Sequence, residues 1–153
     1  MEVATRHAIA ERTAQTLWAG PLASGKGRVT SGSGALHDLP VTWAARTDHP
    51  DGKTSPEELA AAAHASCFSM ALALVLGEHG LVADRLDVTA TVSLEEVDGR
   101  PTIVSSRLRV IGEVVDVDEE GFGAIVKQAA ALCPISRLFA GAAISVDAVL
   151  DAT

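Results

Sequence analysis

The strongest pattern in the chain is a run in which apolar and small residues occupy every side, SPEELAAAAHASCFSMALALVLG at residues 55–77. Its start is well marked. Ser55 stands where a cap belongs, Pro56 suits a first helical position, and Glu58 completes an S-x-x-E capping box. The pattern predicts a helix running to Gly77 or Gly80. Such a helix has no polar face over about five turns and must be covered on all sides. One curved sheet and one other helix cannot easily enclose it, so packing against a second copy of the chain is expected.

Elsewhere the period changes to two. Residues 86–97 (LDVTATVSLEEV) alternate, with Leu86, Val88, Ala90, Val92 and Leu94 on one face. Asp98-Gly99 predicts a tight hairpin turn, and the chain returns through TIVSSRLRVIGEV. A second amphipathic helix is expected over 118–132, ending before Pro134, followed by a short helical ISRLFA. Ile144, Val146, Ala148 and Leu150 alternate in a last strand. Residues 13–46 read as short strands, TAQTLWA, RVTSGS and VTWAAR, joined by Gly/Ser-containing turns and followed by the polar loop TDHPDGKT. The sum is an α+β fold in one domain, 1–153, with residues 1–12 as a poorly ordered N-terminal extension.

Composition narrows the function classes. With 153 residues, 48% apolar and 3% aromatic, the chain can bury a core made of Ala, Val and Leu. A net charge of −8 with no Lys/Arg cluster argues against a nucleic-acid partner. The N-terminal MEVATRHAIAERTAQTLW lacks the apolar stretch of a secretory signal, and two cysteines make no disulfide framework, so a cytoplasmic protein is expected. Residues 59–76 approach spanning length, but they contain His64 and are flanked by Glu57, Glu58 and Glu78, so no membrane partner is expected. No phosphate loop, haem motif or flavin fingerprint is present. Neither a bound cofactor nor a metal is expected, and the chemistry must come from side chains.

The thiols are Cys67, mid-helix, and Cys133, directly before a proline in LCPIS. By composition alone each reads as a small core residue. A reactive thiolate in apolar surroundings needs a cation or donor beside it. His64, three residues before Cys67, shares its helical face, but no third group is visible to orient a Cys–His pair and no second ligand pair to complete a metal site. Glu57 and Glu58 ordinarily complement the helix dipole, and Glu58 as the capping-box member leaves Glu57 available for another task. Arg46, at the end of a strand, would ordinarily be solvated.

T-x-P-E-E-L, then A-A-H-A-x-C-F-S-M-A-L, then C-P-x-S at 133–136 are the blocks that carry a resemblance. The chain resembles the OsmC/Ohr family of organic hydroperoxide reductases, the OsmC branch above all, from about residue 15 onward. The resemblance implies antiparallel sheets wrapped around two central helices in an intertwined homodimer, with active sites at the subunit interface. It implies a hydroperoxide substrate, no bound cofactor, and an external dithiol reductant such as a dihydrolipoyl group. By position, Cys67 matches the peroxidatic cysteine, Cys133 the resolving cysteine, Glu57 the active-site carboxylate, and Arg46 the arginine, with Arg28 as its rival. In an unbroken helix, Glu57 would lie about 15 Å along the axis from Cys67. Either the helix breaks around Ala62–Ser66, which is the favoured expectation, or the partner subunit supplies the glutamate. Phe68, Met70, Leu72 and Phe139 are expected to form an apolar surround that favours organic peroxides. Two other readings stand beside this one: a thioester hydrolase with Glu57 as base, and a non-catalytic dimer that binds an apolar ligand.

Overall fold

The computed structural model describes residues 6–151, which divide into two units, 6–55 and 56–151. Of the expected N-terminal extension, residues 1–5 lie outside the described residues, and 6–12 are exposed and carry neither helix nor strand.

In the first unit β1 (Ala14–Ala19) pairs antiparallel with β2 (Lys26–Ser31), and β2 pairs antiparallel with β3 (Leu39–Val41). The strand expected through VTWAAR stops at Val41, and a short helix α1 (Trp43–Thr47) replaces the rest. The cause is local. Thr42 Oγ accepts the Ala45 N–H at 3.1 Å, an N-cap that turns the backbone before the alternation can extend. Arg46 therefore sits in the last turn of a helix rather than at a strand end.

The second unit runs α2 (Pro56–Glu78), β4 (Ala83–Val97), β5 (Arg100–Val114), α3 (Glu119–Leu132), α4 (Pro134–Leu138), β6 (Ala143–Leu150). β4 and β5 form the expected hairpin, with Asp98 and Gly99 both at positive φ (51° and 75°), as a tight turn matched to strand twist requires. β6 lies parallel to β5, and the connection that holds α3 and α4 is long enough for that crossover. Leu108, Val110 and Val114 of β5, with Val88 and Ala90 of β4, face the helices. Against them pack Phe68, Leu72, Val75 and Leu76 of α2 and Phe122, Ile125, Val126 and Ala129 of α3, each set at helical spacing.

Helix α2 is continuous from Pro56 to Glu78, so the expected break around Ala62–Ser66 does not occur. Nothing in that stretch calls for one: the run from Glu57 to Leu76 holds neither Gly nor Pro and is rich in good helix formers. Ser66 and Ser69 donate to the carbonyls one turn back, Ala62 at 2.6 Å and Ala65 at 2.7 Å, and stay within the helix. One stripe of α2 is buried, while Met70 and Leu74 on another face are 71% and 58% exposed. The helix is long and apolar enough to cross a membrane, a test that the core helix of a soluble protein also passes, and its Phe68–Leu76 stripe packs in its own unit's core.

Gly112 of β5 shows how closely the layers meet, because a Cβ there would lie 2.5 Å from Phe122 Cζ. Gly112→Ala should therefore cost about 1–3 kcal/mol through overpacking. Urea unfolding monitored by circular dichroism checks this, and an unchanged midpoint would contradict the packing of α3 on β5.

Candidate functional site

Pro134 cannot continue α3, so the chain turns at Cys133, which closes α3 and opens α4 with φ −60° and ψ 114°. The turn leaves the sulfur buried at the opening of α4. Packing of α2 on α4 brings Cys67, midway along α2, to the same place. The two thiols are close enough to act on each other's ionisation, and the Ile135 N–H acts on both. Both thiols are free, Cys133 fully buried and Cys67 half-buried.

Their surroundings affect them unequally. Burial pushes the Cys67 thiol above its ordinary pKa; the hydrogen bond and charge of Cys133 push the same way, and only the Ile135 N–H opposes them. Burial is also the largest influence on Cys133 and acts upward. There, however, the Ser136 hydroxyl and N–H, the Cys67 thiol and the Ile135 N–H together bring the thiol below its ordinary value. Within this unit Cys133 is thus the more readily ionised sulfur, and the groups around Cys67 do not by themselves hold it as a thiolate.

The remaining candidates are placed as follows. Glu57 is buried in the first turn of α2 while Glu58 is exposed. With α2 unbroken, ten residues separate Glu57 from Cys67 by about 15 Å along the axis, so one chain does not bring these two together. In the first unit, Arg46 is half-buried with its guanidinium 5.7 Å from the Trp43 ring centroid. Arg28 donates to the Asp38 carbonyl at 3.0 Å and pairs with the Asp38 carboxylate at 3.6 Å. The expected apolar surround needs correction. Phe68 and Leu72 are wholly buried in the core, Met70 lies on the exposed face of α2, and Phe139 stands edge-on to the His64 ring at 5.3 Å. A surface groove of about 480 Å³ between α2 and β4, lined by Ser66, Ser69, Arg85 and Asp87 among others, includes neither cysteine.

His64 is the residue that sequence reasoning undervalued. It is fully buried, with Nδ1 2.6 Å from Ser106 Oγ and Nε2 2.7 Å from Ser136 Oγ. Burial lowers its pKa and keeps the ring neutral. The available signal was its place one turn before Phe68 on the buried stripe of α2, where a polar ring must find partners. Among the described residues no group of three or more His, Cys, Asp or Glu is arranged to hold a metal.

Comparison with known proteins agrees on one family. A model of OsmC-like proteins matches residues 49–148. The chain is 42% identical over 124 residues to the peroxiredoxin OsmC of Escherichia coli strain K12, covering 81% of this chain and 86% of that protein. It is 33% identical over 129 residues to the organic hydroperoxide resistance protein OhrA of Bacillus subtilis strain 168, covering 82% and 86% respectively. The crystal structure of the organic hydroperoxide resistance protein OhrB of Bacillus subtilis superposes with a TM-score of 0.68 at 31% identity, over 91% of this chain and 98% of that one.

The neutral His64 makes stability depend on pH with a definite sign. Below its ordinary pKa of 6.5 the unfolded chain takes up a proton that the folded chain does not, so stability present above that pH is lost on acidification. The urea midpoint should fall between about pH 7.5 and about pH 5.5, and His64→Gln should flatten that slope. An identical slope in the two proteins would contradict a neutral, buried His64.

Proposed function

The chain belongs to the OsmC-like family, and from that premise we propose that it is a soluble, cytoplasmic thiol peroxidase that reduces organic hydroperoxides. The observation that carries this reading is that packing of α2 on α4 brings Cys67 and Cys133 close enough to act on each other's ionisation. Cys67, as thiolate, attacks one oxygen of the peroxide; the O–O bond breaks, and the alkoxide leaves and takes up a proton to become the alcohol. Cys67 is now a sulfenic acid. The Cys133 sulfur attacks it, the S–O bond breaks, hydroxide leaves and is protonated to water, and a disulfide remains. An external dithiol then restores both thiols and is itself oxidised to a disulfide.

The chain acts as a homodimer in this proposal. The exposed Met70 and Leu74 of α2 are surfaces that a second copy would cover. The same partner supplies the Glu57 that the unbroken helix keeps from its own Cys67. Because burial lifts the Cys67 thiol, a cation is required to hold the thiolate and to stabilise charge on the departing oxygen. Arg46 has that role, oriented by Glu57, since a buried guanidinium needs a carboxylate beside it.

Cys67→Ser should abolish consumption of cumene hydroperoxide, and Cys133→Ser should leave a single turnover with a stranded sulfenic acid; full steady-state activity in the Cys67→Ser protein would end the hypothesis. Arg46→Lys should lower kcat/KM by about 10²–10³-fold. If Arg28→Lys produces that loss instead, the arginine has been assigned to the wrong residue.

A further inference from the structure

Each cysteine stands one turn from one end of a single buried hydrogen bond. His64, three residues before Cys67 on α2, places Nε2 2.7 Å from Oγ of Ser136, three residues after Cys133. The other ring nitrogen, Nδ1, is 2.6 Å from Oγ of Ser106 on β5. Ser106 belongs to the middle strand of its sheet, paired with Val92 of β4 on one side and Ile144 of β6 on the other. One imidazole therefore joins the helix of the first thiol, the short helix that follows the second, and the sheet. His64 and Ser106 are fully buried and Ser136 is 8% exposed, while Phe139, which closes α4, stands edge-on to the same ring. Cys67 packs against the buried cluster that contains Cys133, and so does Ile135 of α4.

Helix α4 needs such a tie. Its five residues are too few to hold a helix by themselves, and Cys133 makes no side-chain cap hydrogen bond at its opening. The place of α4, and with it the place of Cys133, is set by what the helix packs on and by the bond from Ser136 to His64. That bond is well protected. A neutral imidazole offers one donor and one acceptor, and a serine hydroxyl can act as either, so both nitrogens are satisfied at once. Water cannot replace a partner at a wholly buried ring, and a broken bond there leaves desolvated polar groups. We propose that His64 and Ser136 are positioning residues whose hydrogen bond pins α4 to α2 and so holds Cys133 where it can close on Cys67. This rests on the peroxidase reading given above and extends it from the two thiols to the contact that presents one to the other.

Position matters because closure has a competitor. When the Cys67 sulfenic acid meets Cys133, the S–S bond forms, the S–O bond and the Cys133 S–H bond break, and water leaves. When it meets a second hydroperoxide instead, one oxygen passes to sulfur, the O–O bond breaks, and the alcohol leaves with Cys67 as sulfinic acid. A dithiol does not reverse that second outcome. A misplacement of about 1 Å at a reacting group can cost on the order of 10²-fold in rate. The tie between α2 and α4 thus decides which fate prevails.

The test equilibrates the protein with mixtures of reduced and oxidised glutathione and measures the Cys67–Cys133 disulfide by mass spectrometry, which gives the effective concentration of one thiol at the other. Ser136→Ala and His64→Leu should each lower it by roughly tenfold. His64→Gln, whose amide can still reach Ser136, should restore most of the loss. Ser106→Ala is the control: it leaves a buried ring nitrogen without its partner and weakens the core, but it keeps α4 tied to α2, so the effective concentration should not change. A fall in Ser106→Ala equal to that in Ser136→Ala would mark a weakened core and overturn the proposal. An unchanged value in Ser136→Ala overturns it as well, and that variant decides if His64→Leu does not fold. With excess cumene hydroperoxide, the share of Cys67 found as sulfinic acid should rise in Ser136→Ala; an equal share in the unaltered protein contradicts the protective role of the tie. The glutathione series needs no peroxide. If the unaltered protein fails to consume cumene hydroperoxide while that series follows the pattern above, the peroxidase reading falls and the positioning role stands.

Discussion

Two sulfurs brought near each other inside a poorly solvated corner set the terms for the rest of this molecule. Burial works against ionising either one and is the largest influence on both. For Cys133 the influence of Ser136 and Ile135 at the opening of α4 outweighs that burial. For Cys67 the Ile135 N–H stands alone against burial and both influences of Cys133. The asymmetry explains why an arginine is needed in the proposed chemistry and why it is needed at Cys67 rather than at its neighbour.

Helix α2 links this site to the fold. Phe68, Leu72, Val75 and Leu76 fix its rotation against the sheet, and that rotation sets Cys67 toward α4. The helix gains its core contacts along one stripe and leaves Met70 and Leu74 bare on another. An intact helix of this length also keeps its two ends chemically separate. Glu57 at one end and Cys67 in the middle lie about 15 Å apart along the axis, and that separation is why the proposed function invokes a second copy.

Most of the architecture was legible because the signals were local. The capping box and Pro56 marked the start of α2, Asp98-Gly99 marked the hairpin, and alternation through Leu86, Val88 and Ala90 marked β4. Pro134 marked the junction that carries Cys133. Three readings went differently for identifiable reasons. VTWAAR alternates like a strand, yet Thr42 caps a helix, and a single side-chain hydrogen bond outweighs a weak strand preference. The break in α2 was inferred from a functional need, whereas helix propensity and the i→i−4 ladder gave no reason for one. Phe68 and Leu72 looked like pocket lining because they flank Cys67 in sequence, but their helical phase takes them into the core. The partners of His64 were not readable at all, since Ser106 and Ser136 lie 42 and 72 residues away and only the tertiary packing joins them.

Peptide mapping by mass spectrometry after one equivalent of cumene hydroperoxide, with migration on a non-reducing gel, tests the paired-thiol site most directly. The proposed pairing of Cys67 with Cys133 requires a loss of two hydrogens, a crosslink joining the peptides of Cys67 and Cys133, and migration as a single chain. Two thiols that remain open to alkylation after unfolding, or a bond found only between chains, would contradict it.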